Sequence, residues 1–475
     1  MTQVTLGLDL GTSGARVLAV DSTGKILAES IKTHPLYTPR PGWTEQSPLE
    51  WWDSSLQALK EVAGMLPEGT EILALGLSGQ MHGMVALDAR GEVIRNALLW
   101  NDQRTGDAVE KLNQIIGKDT FIARTGNPAI TGFQLPKVIW LRDQEPEHYA
   151  KVRHILLPKD YIAFKLTGTM RAEPSDASGT NCFHLESKQW DREILGALDI
   201  PVEYYPEVIP SDEQVGRLSA EVAQQTGLPV GIPVVAGAGD NAAAATGLRI
   251  SQDDLHTGTL SLGTSGVIFA PLTSANPDPQ GRVHLFCHAD GAYHLLGVTL
   301  SAASSLQWLK DTFFPSHSFT QLTEMAAQSA PGANGVTFKP YLAGERTPHL
   351  NPNLRASFQG LSLASGPQDI VRSVLEGVAY SLRDALEIIQ PLTPLQQVLA
   401  TGGGSKSDLW VQILADVLQI PVLKPAYVQG AAYGAALLGF KVAGFALPER
   451  EPAVQTTLPQ NPEAYVEGYG RYVRL

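Results

Sequence analysis

The chain has 475 residues, of which 43% are hydrophobic, and a formal net charge of −13, so two domains of roughly 200 to 250 residues are expected rather than a single core. The acidic surface disfavours binding to nucleic acid and anionic lipid, and no apolar run approaches the roughly 20 residues that cross a bilayer. Because only Cys182 and Cys287 could pair and no charged leader precedes the first strand-like segment, we expect a cytoplasmic protein with small-molecule partners.

The first predicted element is a β-hairpin. Residues 5–10 alternate in polarity, residues 16–20 form a second strand-like run, and Asp21–Gly24 is a reversal. Between the strands, Gly11–Gly14 forms a glycine-bounded turn with two hydroxyl side chains. Such a turn offers backbone N–H groups and hydroxyl oxygens to an anion, which predicts a phosphate-binding turn.

The residues around this turn are suited to phosphoryl transfer. Asp9 ends the first strand and is placed to hold hydrated Mg²⁺, while Gly11, Thr12 and Ser13 would contact phosphoryl oxygens. Arg16 can add a positive charge. The alternative is an ordinary hairpin in which the aspartate and the threonine cap each other.

A helix and a strand come next. Ser47 is a good N-cap, a proline occupies the first helical position and Glu50 completes a capping-box pattern, which predicts a helix over 48–63. A strand over 72–77 follows, and the alternation of strands with helices indicates an α/β domain with a mixed sheet.

Polar groups follow this strand and the next one. The segment Ser78–Gly83 contains Met81 and His82, and Trp100 begins the segment 100–104. Together they offer hydrogen-bonding groups and an apolar wall, the combination that a sugar pocket uses. A lone histidine in such a place is more often structural, so both interpretations stay open here.

A further candidate site lies at residues 237–242. The apolar strand Val234–Ala236 delivers Asp240 and Asn241 to the start of an alanine-rich helix. Ligands of open α/β sheets bind at such strand ends, and an alcohol nucleophile needs a carboxylate to accept its proton. Asp240 is therefore our candidate general base; the alternative is that it caps the helix.

The pentapeptide LGTSG occurs twice, at Leu10–Gly14 and at Leu262–Gly266, each time after a strand-like run. The repeat indicates two related domains, which we place at 1–246 and 247–475, holding one polyphosphate between them. Neither G-x-x-x-x-G-K-[ST] nor G-x-G-x-x-G occurs in the chain.

A third glycine-rich turn lies near the end of the chain. Gly402, Gly403 and Gly404 allow close approach of a flat ring or a phosphate to the backbone, and Ser405 or Ser407 can cap a helix over about 409–417. The alternative is a flexible turn with a cap.

Several of these segments together resemble the FGGY carbohydrate kinases. The resemblance covers nearly the whole chain in the right order and rests on residues 9–14, 42–46 (GWTEQ), 80–83 (QMHG), 239–241 (GDN) and 344–349 (GERTPH). It implies an α/β fold with two ribonuclease-H-like domains of the actin and hexokinase type, an intervening catalytic cleft, and ATP with Mg²⁺ as the phosphoryl donor.

The resemblance also implies roles for individual residues. Asp240 would be the general base, Asp9 would lie near the metal and the transferred phosphate, and Met81, His82, Asp240 and Asn241 would surround the ketose. Asp9 and the Trp100 of the predicted sugar pocket complete our candidates for substrate binding. The nucleotide would be contacted by Gly11, Thr12, Ser13, Arg16, Thr264, Gln307, Gly402, Gly403, Gly404 and Ser407.

The implied activity is phosphorylation of a ketopentose, D-xylulose being the first candidate. The alternatives are a kinase of the same fold for another ketose, polyol or sugar acid, and a non-catalytic actin-like nucleotide switch. Family members are often homodimers. The segment Glu345–Asn351 is characteristic of the family, and we expect its role to be structural.

Overall fold

The structure is a computed structural model that describes residues 2–426, 430–448 and 452–474. It divides into two compact units. The N-unit comprises Met1–Ser251, Phe286–Tyr293 and Gln429–Arg450, and the C-unit comprises Gln252–Leu285, His294–Val428 and Glu451–Leu475. The units are discontinuous along the chain, whereas the division into 1–246 and 247–475 stays a prediction about sequence domains.

The strands of the described residues, in chain order, are β1 (Gln3–Leu10), β2 (Gly14–Asp21), β3 (Ile26–Thr33), β4 (Glu45–Gln46), β5 (Glu71–Gly79), β6 (Val85–Leu87), β7 (Ala97–Leu98), β8 (His154–Leu156), β9 (Arg171–Ala172), β10 (Phe183–His184), β11 (Gln189–Trp190), β12 (Glu207–Val208), β13 (Gln214–Arg217), β14 (Pro233–Gly239), β15 (Thr257–Leu262), β16 (Gly266–Leu272), β17 (His284–Cys287), β18 (Tyr293–Thr299), β19 (Thr337–Lys339), β20 (Ser357–Gln359), β21 (Gln397–Thr401), β22 (Val422–Pro425) and β23 (Ala453–Thr457).

The α-helices are α1 (Pro48–Met65), α2 (Gly106–Ile115), α3 (Lys118–Thr125), α4 (Gln134–Gln144), α5 (Pro146–Tyr149), α6 (Pro158–Thr167), α7 (Pro174–Ala177), α8 (Arg192–Ala197), α9 (Ala220–Thr226), α10 (Asp240–Gly247), α11 (Ala303–Phe313), α12 (Phe319–Ala327), α13 (Pro367–Ile389), α14 (Asp408–Leu418), α15 (Gly430–Val442) and α16 (Val466–Arg474). Short 3-10 helices occupy Ser178–Thr180, Val202–Tyr204, Ala333–Gly335, Gly403–Lys406 and Pro462–Tyr465.

The N-unit is built on a mixed sheet with the strand order β13-β14-β5-β1-β2-β3. The predicted hairpin is confirmed, since β1 and β2 pair antiparallel. The crossovers make β5 parallel to both β1 and β14. As a result, the carboxyl ends of β1, β5 and β14 lie side by side at one edge of the sheet.

The C-unit repeats this arrangement in a sheet with the order β17-β18-β16-β15-β21-β22-β23. The second predicted hairpin, β15 with β16, is antiparallel, and β21 runs parallel to β15. Helix α13 supplies the core with Val374, Val378 and Leu382, all fully buried. The duplication seen in the sequence is thus a duplication of hairpin, turn and parallel crossover strand.

Helix α1 is confirmed, with Pro48 as its first residue, but its predicted capping box does not form. The side chain of Ser47 makes no cap hydrogen bond. A carboxylate oxygen of Glu50 instead accepts from the hydroxyl of Tyr37, at 2.7 Å. Because Glu50 binds Tyr37, a residue outside the helix, its side chain does not complete the capping box.

Helix α15 packs against the N-unit sheet at very short range. A Cβ added at Gly7 would lie 1.8 Å from the carbonyl oxygen of Ala432, and one at Gly76 would lie 1.8 Å from that of Ala435. At Gly434 the same addition would come within 1.7 Å of the carbonyl oxygen of Ala243. Only glycine allows these backbone contacts, so the close packing of α15 depends on residues far apart in the sequence.

We expect Gly76→Ala to lower the free energy of unfolding by about 3 kcal/mol, the upper end of overpacking costs, because the new methyl group would collide with the backbone of Ala435 in α15. Gly64→Ala is the matched control. Gly64 lies within α1 with nothing within 4 Å of its added Cβ, so this change should stabilise by about 0.5–1 kcal/mol. Urea denaturation of both variants tests the prediction; equal stabilities would contradict it.

Within the described ranges, no helix is sufficiently long and apolar to cross a membrane.

Candidate functional site

Two of the predicted site residues lie at neighbouring strand ends of the N-unit sheet. Asp9 is the penultimate residue of β1 and pairs in register with Ser78 of β5. Gly239, the last residue of β14, pairs with Gly79 of β5. Asp240 follows Gly239 directly and begins α10. The structure therefore brings Asp9 and Asp240 to the same edge of one sheet, as the sequence predicts.

Asp240 is not the cap of the helix that it begins. The N-cap of α10 is Gly239, which makes no side-chain cap bond. One oxygen of Asp240, Oδ1, accepts from the backbone N–H of Asn241 at 2.7 Å and from its side-chain amide at 2.9 Å. The alternative drawn from the sequence, that Asp240 is a helix cap, is therefore wrong.

The pKa of Asp240 is raised from its ordinary value of 3.8 to about 7. Burial is the main cause, and the nearby negative charge of Asp9 adds to it, while the hydrogen bonds from Asn241 oppose the shift. A carboxylate with a pKa near neutrality is matched to proton transfer at physiological pH.

Asp9 has one oxygen left for a ligand. Its Oδ1 is buried and has no hydrogen-bond partner within the described residues. Burial raises the pKa of Asp9, against the lowering effects of the nearby Ser78 hydroxyl and the charge of Arg16. Since buried polar groups are usually satisfied, this orphaned oxygen supports the prediction that Asp9 is a ligand-binding residue.

The donor set around Asp9 fits magnesium held mainly by a substrate. Among the described residues, no three or more His, Cys, Asp or Glu side chains cluster as a metal site. Mg²⁺ in phosphoryl-transfer sites is bound through one or two carboxylates, waters and phosphate oxygens, not by a full protein cage. Asp9 alone satisfies the protein's share of that set.

Met81 and His82 lie beside the strand end that leads to Asp240. A Cβ on Gly239 would be 2.9 Å from Cγ of Met81, so only a glycine leaves room for that side chain. His82 has a positive φ of 68°, and its Nδ1 lies 2.7 Å from the carbonyl oxygen of Gly179. The His82 ring stacks on Phe133 with 4.4 Å between centroids. The structure thus groups Met81, His82 and Asp240 in the N-unit.

We expect Gly179→Ala to disturb the predicted sugar pocket. Its Cβ would lie 2.5 Å from Nδ1 of His82, and the stacked ring cannot move without losing Phe133. A misplacement of about 1 Å can cost up to ~10²-fold, so KM for the sugar should rise about tenfold to a hundredfold while KM for the nucleotide stays unchanged. Gly196→Ala is the control, since Gly196 lies in α8 with nothing within 4 Å of its added Cβ. Steady-state kinetics with either substrate varied measures both; an unchanged sugar KM in the Gly179 variant would contradict the expectation.

Thr12 is tied to the sugar-pocket segments by its hydroxyl. This group accepts from the indole N–H of Trp100 at 3.0 Å and donates to the amide oxygen of Gln80 at 3.0 Å. The side chain of Gln46 donates to the backbone carbonyl of Thr12 at 2.7 Å and accepts from Gln80. The first turn is therefore held by a network of hydrogen bonds from the side chains of Gln46, Gln80 and Trp100, whose bonded members lie 34 to 88 residues apart.

The other first-turn residues have distinct surroundings. The backbone N–H of Gly11 donates to the carbonyl of Gly14 at 3.0 Å, which closes the turn. Ser13 is exposed. Nε of Arg16 donates to a carboxylate oxygen of Glu29 at 2.8 Å, an ion pair with 28% of the Arg16 side chain exposed. A role for Arg16 at phosphate stays a prediction.

In the C-unit, the second turn and the late glycine turn are adjacent. The carbonyl of Thr264 accepts from the backbone N–H of Ala302 at 2.9 Å, and Thr264 is exposed. Gly402 has a φ of +87°, and a Cβ there would lie 2.7 Å from the carbonyl carbon of Leu262. An added Cβ on Gly403 would meet no described atom within 4 Å, so its backbone faces open space. These residues are predicted to bind nucleotide, and the structure groups them.

The remaining nucleotide candidates have local partners. The amide of Gln307, on α11, is exposed and donates to a carboxylate oxygen of Asp311 at 2.5 Å. Ser407 is the N-cap of α14 and accepts from the backbone N–H of Trp410 at 3.3 Å. Gly404 packs against Leu262. Of the two serines predicted as possible caps, Ser405 and Ser407, the structure selects Ser407. Contacts of these residues with adenosine stay predictions.

Sequence reasoning missed the residues that support Asp240 from behind. The backbone N–H of Gly239 donates to Oγ of Ser175 at 3.0 Å, and that hydroxyl donates to Glu173 at 2.9 Å. Glu173 is fully buried and caps the short helix α7. The only signal in the sequence is the E-P-S-D run, whose glutamate precedes a proline at a helix start.

A buried lysine supports the pocket and was also missed. Nζ of Lys137 donates to the backbone carbonyls of His82, at 2.8 Å, and Gly132. Burial lowers its pKa to about 7. Lys137 therefore links the backbone of His82, which has a positive φ, to the backbone of Gly132. Its position within an apolar helix was the one available hint.

Comparison with known proteins agrees with this arrangement. The N-terminal domain of the FGGY family of carbohydrate kinases matches residues 4–247, and the C-terminal domain matches residues 258–443. The chain is 39% identical over 438 residues to a xylulose kinase of Bacillus subtilis, covering 91% of this chain and 87% of that protein. It is 38% identical over 460 residues to a xylulose kinase of Escherichia coli, covering 96% and 93%.

A solved structure described as a "xyloylose kinase" from Brucella ovis matches with a TM-score of 0.93 and 36% identity, covering 99% of this chain and 98% of that one. The two sheets with the same hairpin and turn, the carboxylates at neighbouring strand ends and these matches agree with one another. The chain therefore belongs to the FGGY family of carbohydrate kinases.

Proposed function

We propose that this chain transfers the γ-phosphoryl group of ATP to the C5 hydroxyl of D-xylulose, giving D-xylulose 5-phosphate and ADP. The observation that carries the proposal is the grouping of Met81, His82, Asp240 and Asn241 at one edge of the N-unit sheet, next to Asp9. Xylulose kinases are the relatives described above, at 36–39% identity over most of the chain.

Asp240 acts as the general base in this proposal. Its ionised carboxylate accepts the proton of the attacking hydroxyl while the oxygen forms its bond to phosphorus and the bond to the ADP oxygen breaks. The bonds that Oδ1 accepts from Asn241 hold the carboxylate in one orientation. Oδ2 is then the oxygen that faces the alcohol.

Met81 and His82 position the ketose. The pair formed by Nδ1 of His82 and the Gly179 carbonyl places the ring proton on Nδ1 in the neutral imidazole, so that Nε2 is an acceptor for a sugar hydroxyl. Met81, buried beside Gly239, supplies an apolar surface next to the base.

The two LGTSG turns bind phosphate oxygens through backbone N–H groups and hydroxyls. Thr12 and Ser13 do so in the N-unit and Thr264 in the C-unit, while Gly402–Gly404 approach the adenosine. Asp9 would hold Mg²⁺, which neutralises phosphate charge when bound. These assignments follow from turn geometry and from the exposure of Ser13, Thr264 and Gly403.

A coupled ADP-release assay over a panel of sugars tests the function. We expect D-xylulose to stimulate ADP release, and L-xylulose, D-ribulose, glycerol and gluconate to do so weakly. Dominant stimulation by another member of the panel would assign a different polyol kinase. Slow release that no sugar changes would favour a nucleotide switch.

A further inference from the structure

The segment Glu345–Asn351 forms a closed loop in the C-unit. The backbone N–H of Glu345 donates to the carbonyl of Asn351 at 3.0 Å, and the reverse bond measures 2.8 Å. Leu350 has a φ of +49°, a strained value for a bulky side chain such as leucine. The proposed function leaves this characteristic loop without a role.

The loop is attached to one short stretch of chain, the end of β18 and the residues after it. Thr347 donates its backbone N–H to the carbonyl of Val298 at 2.9 Å, and its hydroxyl accepts from the N–H of Val298 at 3.0 Å. Oε1 of Glu345 accepts from the N–H of Leu300 at 2.8 Å and from that of Arg346 at 2.8 Å. Two side chains of the loop thus fix the backbone at residues 298–300.

The next residues along the chain fix the second phosphate turn. The N–H of Ala302 donates to the carbonyl of Thr264 at 2.9 Å, and that of Ala303 donates to the carbonyl of Gly263 at 2.8 Å. The hydroxyl of Ser304 donates to the same Thr264 carbonyl at 2.7 Å. The segment 298–304 is therefore bonded to the loop at its start and to the turn at its end.

We propose that Glu345 and Thr347 are positioning residues for nucleotide binding, which hold the turn Gly263–Gly266 in place through residues 298–304. The proposal rests on the proposed function in that the turn binds the phosphates of the nucleotide. Neither side chain touches the nucleotide. They order the turn before the nucleotide binds. The turn then loses less conformational entropy on binding.

The placement of Glu345 supports this role over a purely packing one. Glu345 is 2% exposed, and its Oε2 is buried with no hydrogen-bond partner in the described part of the chain. Burial raises its pKa to about 7. Burying a carboxyl group is unfavourable unless the group makes hydrogen bonds, so packing alone does not explain Glu345. Its one hydrogen-bonded oxygen accepts from the backbone amides of Leu300 and Arg346.

The test compares Glu345→Ala, Glu345→Gln and, on the same loop, His349→Ala. The alanine removes the acceptor, glutamine keeps an oxygen for the same two bonds, and His349 contacts the hydroxyl of Tyr341 at 2.9 Å, away from residues 298–300. Losing the acceptor of the partly buried Leu300 N–H should weaken MgADP binding and raise KM for ATP about tenfold, with KM for the ketose unchanged. Glutamine should restore both values to within about threefold of wild type, and His349→Ala should match wild type.

Hydrogen exchange provides a second readout that does not depend on activity. In Glu345→Ala the amides of Ala302 and Ala303 should exchange faster, and those in the centre of α13 should not change. If Glu345→Ala fails to fold, Thr347→Val, which removes one hydroxyl, is measured in the same way with the same expectation.

Unchanged MgADP affinity in a folded Glu345→Ala protein would overturn the proposal, as would a glutamine variant as impaired as the alanine variant. These outcomes differ from failure of the proposed function, in which the wild-type protein itself would bind no MgADP or would phosphorylate no ketose.

Discussion

Replacing Asp240 with asparagine should lower kcat on the order of 10²- to 10⁴-fold, the usual contribution of a positioned general base. Asparagine keeps the size of the side chain and an oxygen to accept from the Asn241 amides, but it cannot take the proton of the alcohol. MgADP affinity should stay unchanged, since Asp240 is proposed to contact the sugar hydroxyl and not the nucleotide. Initial rates and calorimetric titration measure both quantities.

Asp212→Asn is the matched control, because Asp212 forms a half-exposed ion pair with Lys441, at 3.3 Å, on the same unit. This variant should retain wild-type kcat. Wild-type turnover in the Asp240 variant would remove Asp240 from its role as the base.

The same Asp240 substitution should stabilise the fold above neutral pH. The folded protein raises the pKa of this carboxyl from 3.8 to about 7, so ionisation costs stability progressively as pH rises from about 4 to 7 and fully above that range. Asparagine never ionises. Thermal unfolding should therefore show a higher Tm for the variant at pH 8 and little difference at pH 4, which also shows that its lost activity is not misfolding.

Replacing Asp9 with asparagine should lower kcat by about 10²- to 10³-fold, the loss typical when one preorganised electrostatic group is removed. Among the predicted site residues that the structure describes, Asp9 is the one carboxylate with a buried oxygen that has no hydrogen-bond partner. Its loss should also raise the Mg²⁺ concentration needed for half-maximal rate.

The Asp9 substitution should also shift the pH profile. Wild-type kcat/KM should rise with pH through about 7 as Asp240 ionises. Since the charge of Asp9 raises the pKa of Asp240, asparagine at position 9 should move this rise to lower pH. A profile of kcat/KM against pH tests the shift. If the rise stays at the same pH, Asp9 does not influence the pKa of Asp240. If the dependence of the rate on magnesium is unchanged, Asp9 does not hold the metal.

Much of the site could be predicted from the sequence because it lies in short local patterns. Gly11–Gly14 and Leu262–Gly266 each combine a strand end with glycines and hydroxyls, and both hairpins form as expected. Asp240 follows an apolar strand directly, so its place at the carboxyl edge of the sheet follows from the chain order.

The support behind these residues could not be predicted. Gln46 and Trp100 meet Thr12 across 34 and 88 residues, and Ser175 reaches Gly239 across 64 residues. Each of these contacts is made by a single polar side chain, and its partner is the polar group that folding brings within hydrogen-bond distance. The failed capping box at Ser47 has the same origin, since Tyr37 takes the glutamate that a local rule assigns to the cap.

The sequence by itself determined the duplicated hairpin and turn, the acid at each of two strand ends and the family resemblance, because strand alternation, turn chemistry and motif spacing are local properties of the chain. Only the tertiary structure decided that α15 packs on the N-unit sheet through Gly7 and Gly76, and that Glu345 holds Leu300. Those contacts depend on which backbone atoms meet after burial, and nothing in the spacing of residues along the chain specifies that meeting.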